Sequence, residues 1–157
     1  MITYKGIEHE RLGDAPFIGA LLISCKCSFP CKNCFNKHVM EESNLFGTAE
    51  RILDEVEANP INEGIILGGL EWTEQPDDLI EIVTAALWRS DRLKVMIYTR
   101  LTEEEFFNRF PILKNRYPIW YKFGAYDETK RSELYYSHGV KLASTNQYIK
   151  LVSKPIK

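Results

Sequence analysis

No stretch of the chain approaches the ~20 consecutive apolar residues that span a bilayer; the longest, Phe17 to Ile23, falls far short. No membrane partner is expected. Charge of neither sign dominates, since 20 Lys and Arg face 22 Asp and Glu for a net charge of -2. Such a balance gives no field that would gather nucleic acid or an anionic surface. The 9 glycines and 7 prolines are scattered, which excludes a flexible linker or a low-complexity arm, and no internal repeat is present. Met1 to Lys5 lack the basic region and apolar core of a secretory signal, so a cytoplasmic protein is expected. Long-range disulfides are excluded as well. All 4 cysteines fall between positions 25 and 34, whereas a disulfide framework staples distant parts of a chain.

What is present suits one globular domain over residues 1–157, because 45% hydrophobic content in a chain of this length supports a single core. Phe17 to Ser24 is a short apolar run that predicts a strand buried on both faces. Thr48 to Ala58 sets Ile52, Leu53 and Val56 at helical spacing behind a Thr48 cap. Gly64 to Leu67 predicts a second buried strand closed by Gly68-Gly69. Gln75 to Trp88 predicts a helix opening with Pro76, Asp77 and Asp78. Leu93 to Thr99 predicts a third strand, Thr102 to Phe107 a helix with Thr102 and Glu105 in capping-box spacing, and Tyr117 to Phe123 and Val140 to Ser144 two further strands.

Strands alternating with helices define an α/β fold with a mostly parallel sheet, since each parallel crossover needs a connection that is usually helical. A closed eightfold barrel takes about 250 residues, so the expectation is an incomplete (β/α) barrel with helices outside, or an open sheet. In either, function gathers at the C-terminal ends of the strands. The cysteine loop, Gly68-Gly69, Thr99 and the residues after Phe123 converge there.

The segment Cys25-Lys26-Cys27-Ser28-Phe29-Pro30-Cys31-Lys32-Asn33-Cys34 carries the strongest signal. Clustered thiolates in a reducing compartment point to a metal or redox centre, and iron-sulfur clusters are held by cysteine thiolates. If only Cys27, Cys31 and Cys34 bind a four-iron cluster, one iron lacks a protein ligand and is open to a small molecule. Structural zinc with Cys25 as a fourth ligand is the alternative, although zinc sites usually use two separated pairs of ligands.

The C-x3-C-x2-C spacing of Cys27, Cys31 and Cys34 after the first apolar strand resembles the radical S-adenosylmethionine superfamily. Phe35-Asn36 and the small size resemble the activating enzymes of anaerobic ribonucleotide reductase. Gly68-Gly69-Leu70-Glu71 resembles the glycine-glycine-acid motif that contacts the methionyl amino group, with Glu74 as the other carboxylate available for that role. Ala143-Ser144-Thr145-Asn146-Gln147 resembles the serine-asparagine-glutamine stretch of the activases.

The resemblance implies a [4Fe-4S] cluster on Cys27, Cys31 and Cys34, and S-adenosylmethionine contacted by Asn36, Gly68, Gly69, Glu71, Thr99 and Asn146. It also implies reductive cleavage of that cofactor to a 5'-deoxyadenosyl radical. The protein substrate would be a large glycyl-radical enzyme, the anaerobic ribonucleotide reductase, and the electron would come from a donor such as flavodoxin or ferredoxin. Two other functions stay open at the level of sequence: a radical enzyme acting on a small molecule such as a deazaguanine precursor, and a zinc-stabilised α/β binding module without catalysis. His9, His38 and His138 are isolated and receive no role. Tyr126 to Gly139, rich in charge and tyrosine, reads as a solvated loop or a docking insertion.

Overall fold

A computed structural model describes residues 1–26, 41–89 and 93–157. Its elements run in the order β1 (Ile2–Tyr4), β2 (Gly6–Arg11), β3 (Gly19–Ile23), β4 (Leu45–Gly47), α1 (Ala49–Ala58), β5 (Gly64–Gly68), α2 (Pro76–Arg89), β6 (Lys94–Tyr98), α3 (Glu103–Arg109), β7 (Ile119–Phe123), β8 (Tyr136–Ser137), β9 (Val140–Lys141) and β10 (Tyr148–Val152). A six-stranded sheet has the order β10-β7-β6-β5-β3-β2. Its four inner strands, β3, β5, β6 and β7, are parallel. These are the four apolar runs of the sequence, and β5 is buried at every residue, as a strand covered on both faces must be.

The helices begin where their caps require. Thr48 accepts a hydrogen bond from Arg51 N–H at 3.1 Å, and Thr102 and Glu105 form a reciprocal capping box at the start of α3. Pro76 opens α2, with Asp77 and Asp78 in the first turn, where the helix dipole favours negative charge. Strand order advances in one direction from β3 to β7, so successive right-handed crossovers put α1, α2 and α3 on the same face. Ile52 and Val56 of α1, Leu79 and Ile82 of α2 and Phe106 of α3 pack there against Leu22, Ile65, Leu67 and Ile97. The opposite face, carrying Ile66 and Met96, is covered more thinly by Ala15, Phe17, Val140 and Leu142.

The two edges depart from the sequence-based expectation. β2 and β10 run antiparallel to their neighbours. The fifth strand expected over Val140 to Ser144 is only the two-residue β9, paired with β8 in a separate hairpin. β10 instead occupies that edge of the sheet, with only Ile149 and Val152 buried, one against each face, a sparse pattern that an apolar-run criterion passes over. β2 is equally polar, and its ladder shifts register between Glu8 and Arg11, where Glu10 adopts φ 56°. Such a bulge blunts an edge against further pairing. The protein is therefore a mixed α/β fold with a mostly parallel central sheet, open among the described residues. No helix among them is long and apolar enough to cross a membrane.

Candidate functional site

The C-terminal ends of the parallel strands bring the chemistry-bearing segments together. Leaving β3, three consecutive residues bond to the segment between β5 and α2. Ser24 N–H and Oγ–H donate to Gly68 O at 2.9 and 3.2 Å, Cys25 N–H donates to Gln75 Oε1 at 2.8 Å, and Lys26 O accepts from Glu71 N–H at 2.8 Å. The start of the cysteine loop and the glycine-glycine segment, more than 40 positions apart in sequence, are thus one unit. Cys27, Cys31, Cys34 and Asn36 lie outside the described residues, as does His38. Among the described residues, no cluster of His, Cys, Asp and Glu could hold a metal ion.

Gly69 is demanded by the backbone. It sits at φ +91°, and a Cβ there would stand 2.5 Å from Ile23 Cγ2 and 3.1 Å from Ile23 Cα. A glycine therefore lets the β5–α2 turn close on the end of β3. Gly69→Ala is expected to cost about 1–3 kcal/mol from left-handed strain and overlap combined, measurable as a lowered urea midpoint of the oxygen-free apoprotein.

Glu71, which the resemblance assigns to the cofactor, is 2% exposed. Its Oε2 accepts from Thr73 N–H at 3.2 Å, Thr73 Oγ1–H at 2.7 Å and Thr99 Oγ1–H at 3.1 Å. Its Oε1 accepts from Arg100 N–H at 2.8 Å and lies 3.5 Å from Arg100 Nε. Glu71 and Thr99, assigned to one site from sequence, do meet, and the carboxylate ties the end of β5 to the end of β6. Glu74 is half-buried one short turn further on, in the 3-10 segment Trp72–Glu74. Trp72 is fully buried and its Nε1–H points at Leu22 O and Gly68 O, both at 3.2 Å. It is a core residue.

At the end of β7, Lys122 is 7% exposed and its ammonium donates to Thr99 O at 3.2 Å and Gly124 O at 2.8 Å. Burial pushes its pKa down to about 8 from 10.5, Glu71 opposes the drop and Arg100 adds to it. The folded chain holds this proton less tightly than the unfolded chain does. Between pH 8 and 10.5 the unfolded state therefore binds more protons, and stability rises with pH. Urea unfolding of the apoprotein across this window is expected to show a rise of at most about 3 kcal/mol, absent in Lys122→Met.

Asn146 lies beside this strand end, its Nδ2–H donating to Ala125 O at 2.7 Å. Its Oδ1 is buried with no hydrogen-bond partner among the described residues, a costly state unless a ligand supplies a donor. Gln147 fixes the turn, donating from Nε2 to Gly124 O at 3.2 Å and accepting at Oε1 from Ala143 N–H and Ser144 N–H at 3.2 and 3.3 Å. The edge thus offers a buried cation and an unsatisfied acceptor. Sequence reasoning gave Gln75 and Arg100 no site role, because their bonds to Cys25, Thr3 and Glu71 reach 29 to 72 positions along the chain and leave no local signature; Gln147 was already part of the Ala143–Gln147 stretch. Of the other histidines, His9 pairs with Glu55 at 3.1 Å and His138 packs edge-on against Trp120.

These features define an iron-sulfur protein when joined to the family comparison. Residues 18–137 match the family described as 4Fe-4S single cluster domain, and the chain belongs to that family. No curated protein and no solved structure matches the chain. A 4Fe-4S domain is compatible with a redox enzyme.

Proposed function

We propose that this chain is a cytoplasmic radical S-adenosylmethionine enzyme that installs a glycyl radical on a large partner, an anaerobic ribonucleoside-triphosphate reductase. The reading rests above all on the direct hydrogen bonding of the cysteine segment to Gly68 and Glu71 at the C-terminal edge of a parallel sheet. A parallel sheet with α1, α2 and α3 on one face is also the arrangement an incomplete (β/α) barrel needs. In this reading Cys27, Cys31 and Cys34 hold the [4Fe-4S] cluster, and Asn36, Gly68, Gly69, Glu71, Thr99 and Asn146 form the cofactor site.

The described residues fit such a cofactor. Asn146 Oδ1 is an orphaned acceptor suited to a hydroxyl or an ammonium, and Lys122 is a buried cation suited to a carboxylate. Glu71 and Thr99 hold two strand ends in register, which keeps these groups fixed. When bound, the reduced cluster would supply the electron that splits S-adenosylmethionine into methionine and a 5'-deoxyadenosyl radical. The chain's own residues bind, orient and exclude water; the electron comes from a small donor such as flavodoxin or ferredoxin.

The test is anaerobic reconstitution with iron and sulfide, followed by dithionite and S-adenosylmethionine. The expected results are a [4Fe-4S] EPR signal that changes on adding S-adenosylmethionine and the appearance of 5'-deoxyadenosine. A colourless protein holding one zinc, or a cluster that never yields 5'-deoxyadenosine, overturns the proposal. Glycyl-radical EPR on added reductase then tests the partner.

A further inference from the structure

Gln75 sits at a junction where its backbone leaves the side chain little choice of direction. Its N–H donates to Trp72 O at 3.0 Å, closing the short turn before it, and its carbonyl accepts from Leu79 N–H at 2.9 Å, opening α2 after it. The side chain is 6% exposed. Oε1 accepts from Cys25 N–H at 2.8 Å, while Nε2 donates to Thr3 O at 2.7 Å and to Asp78 Oδ2 at 3.0 Å. Asp78 Oδ2 also accepts from Thr3 N–H at 3.2 Å. Each end of the amide has the partners its chemistry requires. A flipped amide would set N–H against N–H and oxygen against two acceptors.

We infer that Gln75 is a positioning residue for the iron-sulfur centre, holding the Cys25 amide two positions ahead of the first proposed ligand, Cys27. This rests on the cluster assignment proposed above. The flanking residues of Cys25 are held by backbone contacts that any side chain at 68 or 71 would leave in place. The bond to Cys25 itself depends on one side chain, and that side chain is also fastened to β1 and α2. Groups that orient metal ligands typically change metal affinity or activity by about 10- to 100-fold when removed, which is larger than expected for an ordinary buried amide acting on fold stability alone.

The test compares wild-type protein with Gln75→Met, Gln75→Glu and the double variant Gln75→Glu/Asp78→Asn after anaerobic reconstitution. Iron release to a ferrous chelator is timed well below the unfolding temperature, and the EPR spectrum of the reduced cluster is recorded. Gln75→Met, which keeps volume but loses all three side-chain bonds, is expected to release iron about tenfold faster with altered EPR anisotropy. Gln75→Glu keeps an acceptor for Cys25 but turns a carboxylate on Thr3 O and Asp78, and is expected to release iron at least as fast. Asp78→Asn in the same chain offers the new carboxylate a donor but gives up the acceptor for Thr3 N–H at that atom, so release is expected to slow part of the way toward the wild-type rate, a rescue that loss of packing would not show.

Wild-type release and spectrum from Gln75→Met overturn the inference and leave the proposed function untouched. The expected pattern in a protein that never cleaves S-adenosylmethionine overturns the proposed function and supports the role of Gln75. A wild-type chain that takes up no cluster overturns both. If the variants do not fold, hydrogen exchange on the wild-type apoprotein decides: protection of the Cys25 amide comparable to that of β3 supports the clamp, and exchange at an exposed-loop rate overturns it.

Discussion

Cys27→Ser, Cys31→Ser and Cys34→Ser are each expected to lose the [4Fe-4S] EPR signal and at least ~99% of dithionite-driven 5'-deoxyadenosine formation, whereas Cys25→Ser keeps both. The size of the effect follows from ligand chemistry: iron-sulfur clusters are held by thiolates, and serine offers a harder oxygen donor that is a poor substitute. If three thiolates hold the cluster, as proposed, one loss leaves two irons without a protein donor. Cys25 differs in its backbone setting. It is half-buried and free of any disulfide, its N–H is spent on Gln75, and Ser24 and Lys26 on either side are bonded to the β5–α2 segment. That stem fixes Cys25 at the sheet edge. Quantifying iron, sulfide and 5'-deoxyadenosine in the four variants separates a three-thiolate site from a four-thiolate zinc site. Loss of metal in Cys25→Ser favours zinc, and turnover retained by any of the other three overturns the ligand set.

The parts of this fold that were legible in the sequence are those whose causes are local. Thr48, Thr102 and Glu105 cap their helices through bonds that span three positions, and β3, β5, β6 and β7 are apolar because both faces of an inner strand are covered. The edges were not legible, since β2 and β10 owe their places to pairing with β3 and β7 rather than to their own composition. Val140 and Leu142 look like strand residues because they are buried, yet they are buried by capping the thinner face of the sheet. The site divides in the same way. Gly69 and Thr99 stand directly after β5 and β6, where an α/β sheet gathers its site, whereas the strand expected before Asn146 is only the short β9. The burial of Glu71 depends on Thr99 and Arg100, 28 and 29 positions away, and no spacing rule reaches that far. Trp72 follows Glu71 directly in sequence, yet its indole is fully buried and closes the core beneath Leu22 and Gly68.

Glu71 carries the second large expectation, read on the stability of the apoprotein. Glu71→Ala is expected to lower the unfolding free energy of the apoprotein by about 3–5 kcal/mol, the usual range for removing one partner from a buried ionic network. The carboxylate is 2% exposed and accepts from Thr73, Thr99 and the Arg100 backbone while facing the Arg100 guanidinium. Its removal strands those donors and leaves Arg100 and Lys122 without the negative charge between them. An exposed pair such as Arg131 and Glu133, at 2.8 Å, is worth far less because water screens it. Glu71→Gln keeps the shape and one oxygen but turns an N–H₂ toward donors, so a substantial part of the loss is expected to remain. Lys122 supplies the internal check. Glu71 raises the pKa of Lys122 against the effect of burial, so Glu71→Gln lets that pKa fall further, and the rise of stability with pH begins at a lower pH than in the wild type. Adding Lys122→Met removes the cation that the carboxylate was balancing and recovers part of the loss, most clearly at neutral pH. Urea unfolding of the two single variants and the double variant measures this coupling directly. Additive losses at neutral pH would mean that Glu71 acts only through its neutral hydrogen-bond donors, and that no charge balance holds the ends of β5, β6 and β7 together.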